Sequence, residues 1–168
     1  QDPVVMRFFP STEGIEQTRD LLKRIMKHQQ DNGYSLYAVE LKSTREMIGF
    51  VGLVYRTKKN FEAPFMPCTE IGWRLGSKHW NKGYATEAAR AVLQYAFTDL
   101  HLDEIVSFTV VHNQSSRRIM EKLGLHHDPL DDFDHPALAS NSPLQRHVLY
   151  RLSHDDYLKM IRLPQSQS

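Results

Sequence analysis

The sequence predicts an α/β (α+β) domain in which helices flank a mixed sheet, mostly antiparallel with one parallel pair. Two observations carry that prediction. Thr69 to Leu75 and Ile105 to Val111 read as strands, and the segment between them, Gly83 to Leu100, places Ala85, Ala89, Val92, Leu93, Ala96 and Leu100 on one helical face. Strand, helix and strand in that order form a βαβ unit, whose strands run parallel and whose crossover is right-handed. Upstream, Tyr34 to Leu41 and Glu46 to Tyr55 are rich in β-branched and aromatic residues, and the polar run Lys42-Ser43-Thr44-Arg45 between them predicts an antiparallel pair.

The remaining elements follow in order. Ile15, Leu21, Leu22, Ile25 and Met26 make a helical stripe between Gly14 and Asp31, closed by Asn32-Gly33. Gly49 and Gly52 sit inside the second strand and predict a bulge or a close backbone approach. Arg56 to Cys68, with Pro64 and Pro67, reads as a loop. The near-continuous apolar run of Ile105 to Val111 suits a strand covered on both faces. Asn113 is placed to cap a helix over Gln114 to Leu123, with Gly124 ending it and Leu125 supplying the hydrophobic contact beyond. His126 to Leu144 is a polar, Pro-interrupted loop. Gln145 to Leu152 reads as a last strand, Asp155 to Leu163 as a short helix, and 164–168 as a tail that frays.

A chain of 168 residues is the size of one domain, so residues 1–168 are read as a single unit. Lys plus Arg number 21 against 20 Asp plus Glu, which leaves no large basic field for nucleic acid or an anionic membrane. No run of about 20 apolar residues is present to span a bilayer. The single Cys68 has no partner for a disulfide, which points to the cytoplasm. The chain starts at Gln1 rather than Met, which leaves open whether residues precede it.

The chemistry is sought first at Trp80-Asn81-Lys82-Gly83-Tyr84-Ala85, a turn that follows a strand and opens a long helix. Unpaired backbone N–H groups converge at such a turn and make an anion site. Gly83 lets phosphates approach the backbone, and small Ala85 keeps the helix start close to the strand. The plainer reading is a strand-to-helix connection with no ligand. The turn is neither a Walker loop nor a three-glycine dinucleotide fingerprint.

Taken together, Thr69-Glu70-Ile71-Gly72-Trp73-Arg74-Leu75, this turn, Thr86-Glu87-Ala88 and the block from Asn113 to Leu125 resemble the GNAT acyltransferase superfamily, and within it the RimJ/RimL-like N-acetyltransferases. The resemblance runs over Tyr34 to Leu125, with echoes at Asp2 to Met6 and in the final strand. Gly83 and Ala85 match the pyrophosphate pattern, whereas Trp80 stands where the family has Arg or Gln. Because the turn works through its backbone, that departure weakens the match only modestly.

The resemblance implies a GNAT fold whose two central parallel strands splay near Trp73 and Leu75, the family's first strand being open to lying upstream. It implies acetyl-coenzyme A as co-substrate, held by Trp73, Leu75, Asn81, Lys82, Gly83, Tyr84, Ala85, Thr86, Asn113 and Ser116, with no metal. It further implies a primary amine acceptor, either a peptide N-terminus or a small molecule such as an antibiotic, polyamine or amino acid, and a homodimer. A backbone N–H near Leu75 is the implied oxyanion donor. The rival outside catalysis is a coenzyme A binding module.

Attack on a thioester needs a neutral amine. At pH 7 a lysine amine reaches that state at a cost of about 4.6 kcal/mol, and an α-amine near pKa 7.8 at about 1.1 kcal/mol. Glu70, on the face opposite Ile71, Trp73 and Leu75, is the candidate base, its plainer reading being an exposed strand carboxylate. Met120 stands where many of these enzymes carry a tyrosine that protonates the leaving thiolate, so Ser116 becomes the nearest hydroxyl by pattern, with capping or cofactor binding as its other role. The acidic and histidine residues of His126 to His135 have irregular spacing and read as a polar loop rather than a metal site. Phe8, Phe9, Tyr34 and Tyr37 read as core or cleft walls, and Cys68 as structural.

Overall fold

The computed structural model describes residues 2–8 and 14–162. A short helix, α1 (Pro3–Met6), is capped by the Asp2 carboxylate, which accepts from Val4 N. There follow α2 (Ile15–Asn32), β1 (Leu36–Glu40), β2 (Met47–Arg56), β3 (Cys68–Leu75), a 3-10 turn at Ser77–His79, α3 (Tyr84–Thr98), β4 (Glu104–Val110) and α4 (Gln114–Lys122). The chain ends with β5 (His126–His127), β6 (Phe133–Asp134), β7 (Arg146–Ser153) and α5 (His154–Arg162). The expected tail, 164–168, and Phe9 lie outside the described residues.

The sheet runs β1-β2-β3-β4-β7-β5, with β6 also paired to β7. β3 and β4 are parallel and every other pair is antiparallel, as the βαβ pattern predicted. β7 enters beside β4, which the order of segments along the chain does not reveal. The segment after α4, read as a plain loop, contributes the short strands β5 and β6. Both add to the same edge of β7, so their backbone groups are paired although their sequence has no strand period.

The core forms on both faces of the sheet. On one face α3 buries Ala89, Val92, Leu93, Ala96 and Phe97 against Val51, Leu53, Ile71 and Ile105. Each fully buried aliphatic contributes about 1.5–3 kcal/mol. On the other face Val106, Leu149, Phe133, Met66 and Cys68 form a second cluster, with Phe61, Phe65 and Phe108 packed against it.

The expected apolar stripe of α2 behaves differently. The helix forms, but none of its residues is buried, and Ile15, Leu22 and Met26 are 65%, 52% and 65% exposed. Polar links fasten it instead: His28 Nδ1 donates to Tyr34 O and His28 Nε2 accepts from Tyr55 N, both at 2.8 Å, while Ser35 Oγ donates to Ile25 O.

The glycines of β2 mark close approaches. A Cβ on Gly52 would lie 2.2 Å from Ser35 O, and one on Gly49 would lie 2.1 Å from Arg74 O. Gly49 also sits at φ +149 opposite the bulge between Val39 and Glu40, a conformation that side chains other than hydrogen rarely adopt.

Candidate active site

β3 pairs with β2 over eight register positions but meets β4 at one, Glu70 opposite Val106. Beyond that pair the two parallel strands diverge. Gly76 N donates to Ile48 O on the β2 side, so alternation turns the backbone groups of Leu75, Trp73 and Ile71 toward β4. Two side chains confirm the direction: Ser107 Oγ on β4 donates to Ile71 O at 2.9 Å, and Trp80 Nε1 donates to Leu75 O at 2.8 Å. The opening between the strands is thus edged by the backbone of β3.

After β3 the chain turns through Asn81 and Gly83, both left-handed at φ 59 and φ 84. Gly83 is the N-cap of α3, supplies no side-chain cap and accepts from Glu87 N. Intrahelical partners are therefore lacking for the first N–H groups of α3, at Tyr84, Ala85 and Thr86, and the helix dipole adds positive potential there. A Cβ on Gly83 would meet nothing within 4 Å, so the space above the turn is open to an anionic group.

The second wall is the start of α4. Asn113 Oδ1 accepts from Ser116 N at 3.3 Å, and its Nδ2 donates to Thr109 Oγ1 and Ser116 Oγ at 2.9 and 3.1 Å. One amide thus caps α4 and ties it to the end of β4. Accepting that bond leaves the Ser116 hydroxyl proton available for donation. Met120 is buried in the same wall. Tyr150 O–H donates to Glu121 Oε1 and accepts from Arg117 Nε, so it is committed elsewhere.

These walls enclose a cavity of about 770 Å³. Of the residues expected from the sequence, Glu70, Trp73, Leu75, Asn81, Gly83, Ala85, Thr86, Asn113 and Ser116 line it; Lys82 and Tyr84 do not. The Lys82 side chain is exposed at the left-handed turn and Tyr84 is half-buried at the start of α3. Sequence reasoning missed Arg118 and Lys122, which also line the cavity. Their i, i+4 spacing on α4 was the available signal. It missed Arg7 as well, whose guanidinium lies 5.7 Å from the Trp80 ring centroid, and His79, whose buried Nδ1 has no hydrogen-bond partner.

At the other end stands Glu70. Its side chain is 13% exposed and accepts from Arg56 Nε, which corrects the reading of it as an exposed strand carboxylate. Burial pushes its pKa up, while the Arg56 charge and hydrogen bond act in the opposite sense. Phe108, His135 and His147 line this end as well. Burial lowers the pKa of both histidines, and His135 is lowered further by His147 and Arg56. His147 Nδ1 donates to Gln145 O at 3.0 Å, which fixes its tautomer when neutral. His135 and His147 come from the segment that showed no readable pattern in the sequence.

Cys68 is buried and its thiol is pushed up to about 12, chiefly by burial and then by the Glu70 charge. It stays protonated and is unsuited to be a nucleophile. The other histidine and acidic groups of the 126–135 segment disperse: His127 Nε2 meets Asp132 Oδ1 at 2.7 Å, and Asp131 meets Arg151 at 2.6 Å. Among the described residues no three metal-capable groups cluster, and no helix is long and apolar enough to cross a membrane.

Comparison with known proteins agrees with this geometry. Residues 1–126 match the family described as acetyltransferase (GNAT) domain. An uncharacterized N-acetyltransferase of Bacillus licheniformis, p20, is 30% identical over 132 residues, or 77% of this chain and 70% of that protein. A GNAT-family acetyltransferase from Bacillus anthracis superposes with a TM-score of 0.72 at 26% identity, covering 92% of this chain and 84% of the other. Spermidine N-acetyltransferase from Vibrio cholerae, solved with CoA and spermine, shares the fold with a TM-score of 0.70 at 21% identity, covering 94% and 86%.

Proposed function

Because the chain belongs to the GNAT acetyltransferase family and is an acetyl-coenzyme A dependent N-acetyltransferase, we propose that its acceptor is the α-amine of a peptide N-terminus. The amine attacks the thioester directly in a ternary complex, with Glu70 taking the ammonium proton. We place it with the RimJ/RimL-like enzymes, in the cytoplasm and as a homodimer, on the motif resemblance and the lone Cys68.

The observation that carries this reading is the Arg56–Glu70 pair at the single register pair between β3 and β4. Burial makes Glu70 a stronger base, but the guanidinium against it limits the gain. A base so restrained suits an acceptor that needs about 1.1 kcal/mol of deprotonation better than one that needs about 4.6. The open N-terminus of α3, together with Arg118 and Lys122, offers backbone donors and cations for the phosphates of coenzyme A. The N–H groups of Trp73 and Leu75 face the opening where the pantetheine arm and the developing oxyanion need donors. Ser116 is the proposed proton donor to the leaving thiolate, and its hydroxyl is restored by the proton that the newly acylated nitrogen sheds.

The test measures thiol release from acetyl-coenzyme A with peptides that carry a free α-amine and no lysine. The controls are the same peptides blocked at the N-terminus and carrying one internal lysine. Turnover with the first set is expected. Turnover confined to the lysine peptides, or to small amines, would overturn the peptide reading.

A further inference from the structure

Resting on the amine acetylation argued above, we propose that the Glu70 end of the cavity is a neutral, aromatic-walled compartment. It selects an amine that bears one positive charge and an aromatic flank, and it rejects polyamines. Charge is the first ground. Among the described residues that line the cavity, Glu70 is the single carboxylate, and Arg56 is bound to it. Burial holds His135 and His147 toward the neutral form. The compartment therefore offers one acceptor for one ammonium. A second or third ammonium of a polyamine would leave water for a wall with no carboxylate to receive it, and an unpaired charge in such a place is strongly disfavoured.

Shape is the second ground. Val106 stands opposite Glu70, and Phe108 lies two residues further along the same face of β4, about 6.6 Å away along the strand. The aromatic wall thus begins on β4 just beyond the position that faces Glu70, and Glu70 and Phe108 both line the cavity. Phe108 is held edge-on by Phe61 and Phe133, with centroids at 5.7 and 5.6 Å. His135 lies 4.6 Å from the Phe61 ring and 5.2 Å from His147. Residues from 61–65 and 133–135, far apart in the chain, lock these rings in place, so the wall is formed before the acceptor arrives. Offset or edge-to-face contact with a flat substituent is the interaction such rings make best.

An amine with an aromatic flank describes both a peptide beginning with phenylalanine and a free arylalkylamine, and the experiment separates them. Thiol release is measured with peptides identical except for a first residue of Phe, Ala, Asp or Lys, and with phenethylamine, ethylamine and spermidine. The aromatic acceptor is expected to exceed its Ala or ethylamine counterpart in kcat/KM by at least about tenfold, and spermidine by about a hundredfold. Phenethylamine favoured with every peptide inert would uphold the compartment and sink the peptide reading; the Phe peptide favoured would uphold both. Spermidine, the Lys peptide or the Asp peptide favoured, or equal rates for all flanks, would overturn the compartment while leaving amine acetylation standing.

Two further measurements close the test. Calorimetric titration of phenethylamine and of spermidine into the coenzyme A complex should show tighter binding of phenethylamine, and the reverse order overturns the proposal whatever the turnover. Phe108→Leu should narrow the phenethylamine to ethylamine ratio severalfold. If the acetyl-coenzyme A induced rise in Tm persists in that variant, the protein is folded, and an unchanged ratio then counts against the wall.

Discussion

The lining at the α3 end of the cavity comes mainly from two short contiguous stretches, 80–86 and 113–122, with Arg7 and His79 beside them, and its donors include the backbone N–H groups at the start of α3. The lining at the Glu70 end comes from β2, β3, β4 and β7 and from the segment after β5, and it acts through side chains. Backbone sites tolerate changes of residue type as long as the dihedral angles survive. At such a turn Gly83, at φ 84, is the vulnerable position. A side-chain site tolerates little change at its reacting atoms but imposes no unusual backbone.

The largest expected effect tests the side-chain end. Glu70→Gln keeps shape and removes basicity, so kcat/KM should fall by about 10² to 10⁴ while acetyl-coenzyme A affinity stays near the wild-type value. A pH series sharpens it. Burial raises the Glu70 pKa above the ordinary carboxylate value of 4.5, so wild-type activity should be complete above the raised value and decline as pH falls through it. The variant should lack that limb and recover part of its rate at high pH, where neutral amine is abundant. Parallel profiles would reassign Glu70 to positioning.

At the backbone end, ligand binding should be visible without chemistry. Acetyl-coenzyme A at a hundredfold excess over its Kd should stabilise the protein by about 2.7 kcal/mol and raise Tm; a transition that does not move in millimolar cofactor contradicts the site. Gly83→Val is the next smaller effect. A β-branched residue at φ 84 costs about 1–2 kcal/mol and places methyl groups in the open space above the turn. Cofactor affinity should drop by about tenfold or more, with kcat for bound substrate less affected. Equal affinity in a folded variant would move the cofactor away from this turn.

The smallest effect returns to the side-chain end. His147 has its pKa lowered from 6.5 by burial. As pH falls below 6.5 the unfolded chain takes up the proton first, so this contribution to stability is complete above 6.5 and is lost as pH falls toward the folded-state value. The slope is at most about 1.4 kcal/mol per pH unit. Thermal unfolding between pH 7.5 and 5.5 should show it, and His147→Phe, which keeps a ring in the cluster, should flatten it. An identical slope in the variant would show that other groups carry the pH dependence.

The sequence by itself determined the βαβ unit, the antiparallel β1–β2 pair, the Asn113 cap of α4 and Gly124 as the residue that ends that helix. Each rests on interactions between residues close in the chain: helical period, turn chemistry, a side chain reaching a backbone N–H three residues on. Such signals survive in any short window. The turn from Trp80 to Ala85 was legible for the same reason.

Tertiary structure alone decided what depends on distant partners. The apolar stripes of α2 and α3 look alike in sequence, yet α3 is buried on the sheet while Ile15, Leu22 and Met26 face solvent, because burial depends on what the rest of the chain brings against a face. β7 pairs with β4 across more than thirty intervening residues, which no local period encodes. The Arg56–Glu70 pair and the His135, His147 and Phe108 wall arise the same way. Cross-strand register sets Arg56 and Glu70 side by side, and a segment with no repeat of its own folds back to place His135. Ionisation, burial and ring contacts at that end follow from those long-range pairings, so they could be read only once the chain was folded.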